Sequence, residues 1–217
     1  MRRRKPSSTE WLSRQLNDPY VAAAQRLGYR SRAAFKLIEL DDRFRLLRRG
    51  CRVVDLGCAP GGWTQVAVGR VGVRNGREII VGLDLAETPP IAGAKILRAD
   101  IHDPSVAAVI KAELGGLADV VISDVAPSTT GHAATDHLRI LALAEAAFGV
   151  ARLILAPGGA FVAKVFQGGA EGAFLGQLKQ GFAQLRHAKP PASRAESAET
   201  YVIARGFRGR GRDTVVI

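Results

Sequence analysis

Cysteine is nearly absent. The 217 residues carry two, Cys51 and Cys58, seven positions apart. That pair matches no zinc-ligand spacing and is too few for a disulfide-dense secreted scaffold, so both are read as inert packing in a reducing compartment. The four histidines are scattered; His132 and His137 fall five apart where a loop meets a helix, a placement that suits solvated side chains, and no metal is expected. No apolar run approaches the ~20 residues of a membrane span, so no membrane partner and a cytoplasmic location are expected. Internal repeats are missing as well.

What is present fits one domain of ordinary size: 47% hydrophobic residues and ten prolines, enough to bury a real core. The net charge of +11 lies at the ends. Residues 1–50 hold 13 Lys/Arg against 5 Asp/Glu, residues 51–178 hold 10 against 12, and residues 179–217 hold 8 against 3. A near-neutral core with basic ends favours a polyanionic partner. Arg2-Arg3-Arg4-Lys5 resembles the start of a transit peptide, but Glu10 and Asp18 interrupt any acid-free stretch. The expected division is a basic arm at 1–17, one domain at 18–207 and an Arg/Gly tail at 208–217.

The centre of the chain is Val53-Val54-Asp55-Leu56-Gly57-Cys58-Ala59-Pro60-Gly61-Gly62-Trp63. Arg52 to Leu56 reads as a buried parallel strand, Gly57 to Gly62 as a tight turn, and Trp63 to Val68 as the start of a helix. Strand, glycine turn and helix N-terminus make a nucleotide-type site, and Asp55 sits where an ammonium or hydroxyl group could be bound. The dinucleotide fingerprint fits poorly: Ala59 takes the second glycine position, and Pro60 has lost an N–H that a pyrophosphate would use. Asp84, closing the next strand, suits a ribose diol in either case. An adenosine ligand without phosphates fits better, and S-adenosylmethionine is the common one.

Along the chain, Asp18 caps a helix through Tyr20 to Leu27, ended by Gly28, and Ser31 caps a second from Arg32 to about Asp42. Asn75-Gly76 is a turn before a strand at Glu78 to Asp84; Ala94 to Arg98 is a third strand and leads to Asp100. A helix from Pro104 to Leu114 precedes a fourth strand, Asp119 to Ser123. A long helix, about Asp136 to Leu155, ends before Pro157-Gly158-Gly159. Ala160 to Val165 is a fifth strand, a helix spans about Ala170 to Gln180, and strands near Gln184 to Ala188 and Glu199 to Gly206 close the domain. Alternating strands and helices imply an α/β fold: a Rossmann-like, seven-stranded, mostly parallel sheet with helices on both faces. The last two strands are joined by a Pro- and Ser-rich loop, not a crossover helix, so the last strand should run antiparallel. That brings Glu199, its first residue, beside Asp124 and Lys164 at the edge where the parallel strands end. Lys36 can reach the same edge.

A lysine closing a buried strand is costly unless paired, so Lys164 is either half of a structural ion pair or functional. It could act as a base if burial and Lys36 lower its pKa; Asp124 and Glu199 would oppose that. The sequence leaves this balance open.

At these residues the chain resembles the FtsJ/RrmJ family of heat-shock ribosomal RNA 2′-O-methyltransferases. The resemblance is carried by Tyr29 to Leu37, Val53 to Trp63, Ser123 to Pro127, Ala163 to Phe166 and Ser193 to Tyr201, five motifs in order from about Trp11 to Gly206. It implies a catalytic Lys-Asp-Lys-Glu tetrad at Lys36, Asp124, Lys164 and Glu199. It implies binding of S-adenosyl-L-methionine by Gly61, Trp63, Asp84, Asp100 and Asp124. The implied reaction is methylation of a uridine ribose in the aminoacyl-site loop of large-subunit (23S-type) ribosomal RNA. The expected partner is that RNA, within the large subunit or as naked RNA, and the expected state is a monomer. Cys58 stands where the family usually has alanine, and the Arg/Gly tail lies beyond the resemblance. The competing readings are methylation of another RNA such as tRNA, an NAD-dependent oxidoreductase, and a non-catalytic RNA-binding module on a Rossmann-like scaffold.

Overall fold

The computed structural model describes residues 18–72, 78–127, 130–166 and 171–209. The expected basic arm, the Asn75-Gly76 turn, the expected helix start at Ala170 and the tail from residue 210 on lie outside the described residues. Six helices and seven strands are described: α1 (Pro19–Leu27), α2 (Ala33–Phe44), β1 (Val53–Leu56), α3 (Gly62–Val71), β2 (Ile80–Asp84), β3 (Lys95–Arg98), α4 (Val106–Leu114), β4 (Ala118–Ser123), α5 (Ala133–Ile154), β5 (Leu155–Phe166), α6 (Gly172–Gly181), β6 (Phe182–Ala188) and β7 (Glu199–Phe207).

The strands form one sheet in the order β3-β2-β1-β4-β5-β7-β6. β7 runs antiparallel to β5 and to β6, so it alone opposes the other six, as the helix-free connection implied. From β1 the chain winds outward through β2 and β3, then returns to place β4 on the other side of β1. The β1–β4 boundary is therefore a topological switch point, where an open α/β sheet leaves a crevice beyond the carboxyl ends of its strands.

Strand alternation decides which side chains meet. Val54, Leu56, Val121, Phe161 and Ala163 pack under α4, α5 and α6. Val53, Ile80, Ile122, Val162 and Tyr201 pack under α2 and α3. Two residues beyond Val162, Lys164 points to the α2–α3 side, and Tyr201 is its partner in the β5–β7 register.

Three local expectations are corrected. Asp18 does cap α1, accepting from the Tyr20 N–H at 3.0 Å, but Ser31 does not cap α2: Arg32 holds that position with no side-chain capping bond. The Ser31 hydroxyl lies instead against Gly62, where any Cβ would collide with it. The fifth strand, expected from Ala160, takes in Pro157-Gly158-Gly159 as well. β5 starts at Leu155, directly at the end of α5, and its pairing jumps from Ala118↔Leu155 to Val120↔Ala160. Glycines permit this bulge, because Gly158 has φ +82° and a Cβ on Gly159 would stand 3.0 Å from the Asp119 carbonyl oxygen. β6 begins at Phe182, two residues ahead of expectation, since Phe182 packs on Phe207 with ring centroids 5.3 Å apart.

Candidate active site

The glycine turn opens directly from β1. Gly57 has φ +78°, and a Cβ there would lie 2.7 Å from Val125 Cβ, so only glycine lets this turn pass the segment leaving β4. Between the two segments lies a cleft of about 460 Å³, lined among others by Gly57, Leu83, Asp84, Leu85, Asp100, Ile101, Asp124 and Leu143. Asp84 closes β2 and accepts from the Ala59 N–H at 2.9 Å and the Ala86 N–H at 2.8 Å, which ties the glycine turn to the loop beyond β2. Asp100 accepts from the His102 N–H at 2.9 Å, with His102 Nδ1 2.8 Å from the same oxygen; these hydrogen bonds hold its carboxyl below the usual carboxylate range.

A second group of side chains adjoins the cleft through Asp124, which belongs to both. Lys36 comes from the first turn of α2, Asp124 from the end of β4, Lys164 from β5 and Glu199 from the start of β7. Lys164 Nζ donates to the Asp124 carbonyl oxygen at 2.9 Å and lies 2.8 Å from Asp124 Oδ1 and 3.7 Å from Glu199 Oε2. Lys36 Nζ is 2.8 Å from Glu199 and 3.9 Å from Asp124 Oδ2. Both lysines are buried, at 7% and 8% exposure, so each ammonium depends on these carboxylates. All four tetrad positions are thus in one network.

The electrostatic balance left open by the sequence favours charge. Burial pulls the Lys164 pKa down, but Asp124 and Glu199 outweigh it and the pKa is raised. Burial pushes the Asp124 carboxyl up, and Lys164 and Lys36 override it; the net direction is down. Glu199 is likewise lowered, Lys36 and Lys164 overcoming its burial. The resting network holds two charged carboxylates and a protonated Lys164 at neutral pH.

Two partners of the network were not singled out from the sequence. The Tyr201 hydroxyl donates to Asp124 Oδ1 at 2.6 Å, its ring lies under Lys36 Nζ at 5.9 Å, and the Ser193 hydroxyl donates to Glu199 Oε1 at 2.7 Å. The signal for Tyr201 was available: it stands two residues after Glu199 on the same strand face.

Gly61 and Trp63 are not among the cleft-lining residues. Gly61 (φ +114°) is hemmed in by Ile91 and Arg30, and the buried Trp63 indole N–H donates to the Ala33 carbonyl at 2.8 Å. Asp55 is wholly buried: Oδ2 accepts from the Thr64 hydroxyl at 2.6 Å, while Oδ1 has no partner. Burial pushes its pKa up to about 7, with the Asp124 and Asp84 charges adding to it and the Thr64 bond resisting. Cys58 is buried beside Thr88, and burial pushes its thiol up to about 12, which leaves it unreactive.

Residues 29–207 match the FtsJ-like methyltransferase family. A protein of Acidiphilium cryptum named ribosomal RNA large subunit methyltransferase E is 60% identical over 207 residues, covering 95% of this chain and 90% of that protein. A protein of the same name from Paramagnetospirillum magneticum is 60% identical over 210 residues, covering 96% of this chain and 86% of its own length. In shape, a crystal structure from Plasmodium falciparum described as a ribosomal RNA methyltransferase superposes with a TM-score of 0.73 at 30% identity, over 84% of this chain and all of that one. With its sheet order, its cleft at the switch point and this match over most of its length, the chain belongs to the FtsJ-like methyltransferase family.

Proposed function

We propose that this chain is an S-adenosylmethionine-dependent enzyme that methylates a ribose 2′-hydroxyl of large-subunit ribosomal RNA, acting as a monomer in the cytoplasm. The observation that carries the reading is the Lys36–Asp124–Lys164–Glu199 network joined to the cleft through Asp124. The relatives' name for their own activity supports the RNA substrate, and a uridine of the aminoacyl-site loop, which the family resemblance implies, is the target proposed.

The residues present fit the donor. A cleft of about 460 Å³ lies within the ordinary range for small-molecule sites, and Leu83, Leu85, Ile101 and Leu143 offer apolar walls to a purine. Asp84 suits the ribose diol and Asp100 an exocyclic amine, while the unpartnered Oδ1 of Asp55 marks a buried acceptor near the glycine turn. Gly61 and Trp63 would act by shaping that turn. Bound there, the donor supplies an electrophilic methyl group on a sulfonium.

The chain's own residues then have to hold a weak nucleophile in line and manage one proton. A ribose hydroxyl entering the network would meet two ammonium groups and two carboxylates. Because Lys164 keeps its proton, its part is to orient the hydroxyl oxygen and offset the charge that develops as the O–H bond weakens. Asp124 and Glu199, both ionised, are the available proton acceptors. Lys36 and Tyr201 hold those two carboxylates in place.

Lys164→Ala should cut turnover by roughly 10²–10⁴-fold and leave donor binding nearly intact. Transfer of a labelled methyl group to ribosomal RNA, followed by mapping of ribose methylation, measures this. A variant that keeps near-wild-type turnover, with the methyl still on the ribose, would remove Lys164 from the reaction.

A further inference from the structure

Arg26 aside, the described basic residues up to position 50 fall into two groups by their partners. Arg30 is engaged by the Pro60, Pro89 and Pro90 carbonyls at 3.2, 2.7 and 2.8 Å. Arg32 donates to the Ala192 carbonyl at 2.7 Å and lies 2.9 Å from Asp18 in an ion pair not aligned as a hydrogen bond. Lys36 is spent in the active site. Arg43, Arg45, Arg48 and Arg49 are different: all four are exposed, and none has an acidic partner among the described residues.

These four arginines sit on a rigid mount. The carboxylate of Asp41, 3% exposed, accepts from the Leu46 N–H at 2.9 Å and the Leu47 N–H at 2.7 Å, and both leucines are buried. With 46 and 47 turned inward, 45, 48 and 49 face out. Arg48 and Arg49 line a shallow concavity with Gly50, Cys51 and Asp119, whose Oδ2 is already taken by the Arg52 N–H at 2.8 Å. Arg43 stacks on Phe44 with its guanidinium 5.1 Å from the ring centre.

Arg45 adds an independent observation. It is the one non-glycine residue at positive φ among the described residues, φ 52° and ψ 55°, at the C-cap of α2. Glycine is favoured at such a cap, and a side chain there is strained. A merely solvated charge run gives no reason to keep an arginine in that conformation; a side chain that binds something does.

We infer that Arg43, Arg45, Arg48 and Arg49 form a second RNA contact, gripping phosphates of the substrate away from the ribose being methylated. The inference rests on the function proposed above, which supplies the polyanion. Arg45, the C-cap of α2, stands nine positions beyond Lys36, roughly 14 Å along a helix axis. A duplex carries a charge every ~1.7 Å of its axis, so a substrate seated at Lys36 offers several phosphates over that span. The patch lies at the amino end of β1, opposite the donor cleft, so it can add affinity without touching the reacting atoms.

The test compares wild type, the triple variant Arg43→Gln/Arg48→Gln/Arg49→Gln, and Arg45→Gly, by filter binding to protein-free large-subunit ribosomal RNA across a salt series and by methyl transfer. For the triple variant the slope of log affinity against log salt should flatten by about 0.9 for each duplex phosphate no longer neutralised. The affinity that falls away between about 50 and 200 mM salt then shrinks by roughly 3.5-fold per phosphate. Its kcat should stay within about twofold of wild type while KM rises. Arg45→Gly should raise Tm by roughly 2–4 °C through relief of the strained backbone, yet bind RNA several-fold more weakly. Superimposable salt lines for wild type and triple variant overturn the inference. So does a variant that matches wild type on protein-free RNA and binds more weakly only to intact subunits, because the patch would then meet a protein. If wild type transfers no methyl group to RNA, the proposed function fails, whereas the filter binding still reports on the patch.

Discussion

Replacing Asp55 by asparagine should change the pH dependence of stability more than stability itself. Asp55 is fully buried at the end of β1, its pKa pushed up to about 7 from 3.8, chiefly by burial. Between about pH 4 and pH 7 the folded protein keeps the Asp55 proton and the unfolded chain does not. Bound protons are then more numerous in the folded state, and stability falls as pH rises through this window. Three pKa units at 1.36 kcal/mol each make this loss about 4 kcal/mol, complete above pH 7. The asparagine side chain of Asp55→Asn has the shape of the protonated acid but no such titration. Its buried amide N–H₂ faces the position where Oδ1 has no partner, at a cost of about 1–3 kcal/mol that does not depend on pH. The variant should therefore be no more stable than wild type at pH 4 and gain steadily on it up to pH 8, by about 4 kcal/mol across the range. Urea denaturation of both proteins at intervals from pH 4 to 8 isolates the effect, because the shifts of Asp124 and Glu199 are downward and that of Lys164 upward, away from the window in which Asp55 titrates. A wild-type-to-variant difference that is flat with pH refutes the burial argument. Calorimetry on the same pair tests the carboxylate's part in donor binding: a variant with better stability but poorer donor affinity would show that the buried charge is kept for the ligand.

Asp84→Asn keeps one acceptor for the Ala59 or Ala86 N–H and loses the other, so it should weaken donor binding by about 1–3 kcal/mol, roughly 5- to 150-fold in Kd, with only a modest fall in Tm; an unchanged Kd by calorimetry refutes the ribose assignment. Tyr201→Phe removes the 2.6 Å hydrogen bond to Asp124 and should lower stability by about 1.5–3 kcal/mol. With one donor fewer, the Asp124 carboxyl titrates higher, so the acid limb of the methyl-transfer pH profile should move to higher pH; a superimposable profile would leave Tyr201 with packing as its only role.

The sheet, its one reversed strand and the edge to which the tetrad comes are all legible in the order of residues along the chain. They are consequences of local and short-range physics: β-branched runs make strands, the glycine turn after Leu56 ends β1, and a connection with no helix forces an antiparallel return. Strand alternation even carries Lys164 and Tyr201 to one face. What those side chains are worth is a property of the closed fold. Whether Lys164 is a base or a cation depends on the distances from one ammonium to carboxylates 40 and 35 residues away in sequence, set against the burial that three layers impose together. The same holds for Arg30 and Arg32, which the charge pattern counts as free and which packing ties to the Pro60, Pro89, Pro90 and Ala192 carbonyls, and for Ser31, a cap by type that spends its position against Gly62. Periodicity fixes the direction in which a side chain points. Pairing, desolvation and the resulting charge depend on what arrives from distant parts of the chain, and that is settled only when the layers close.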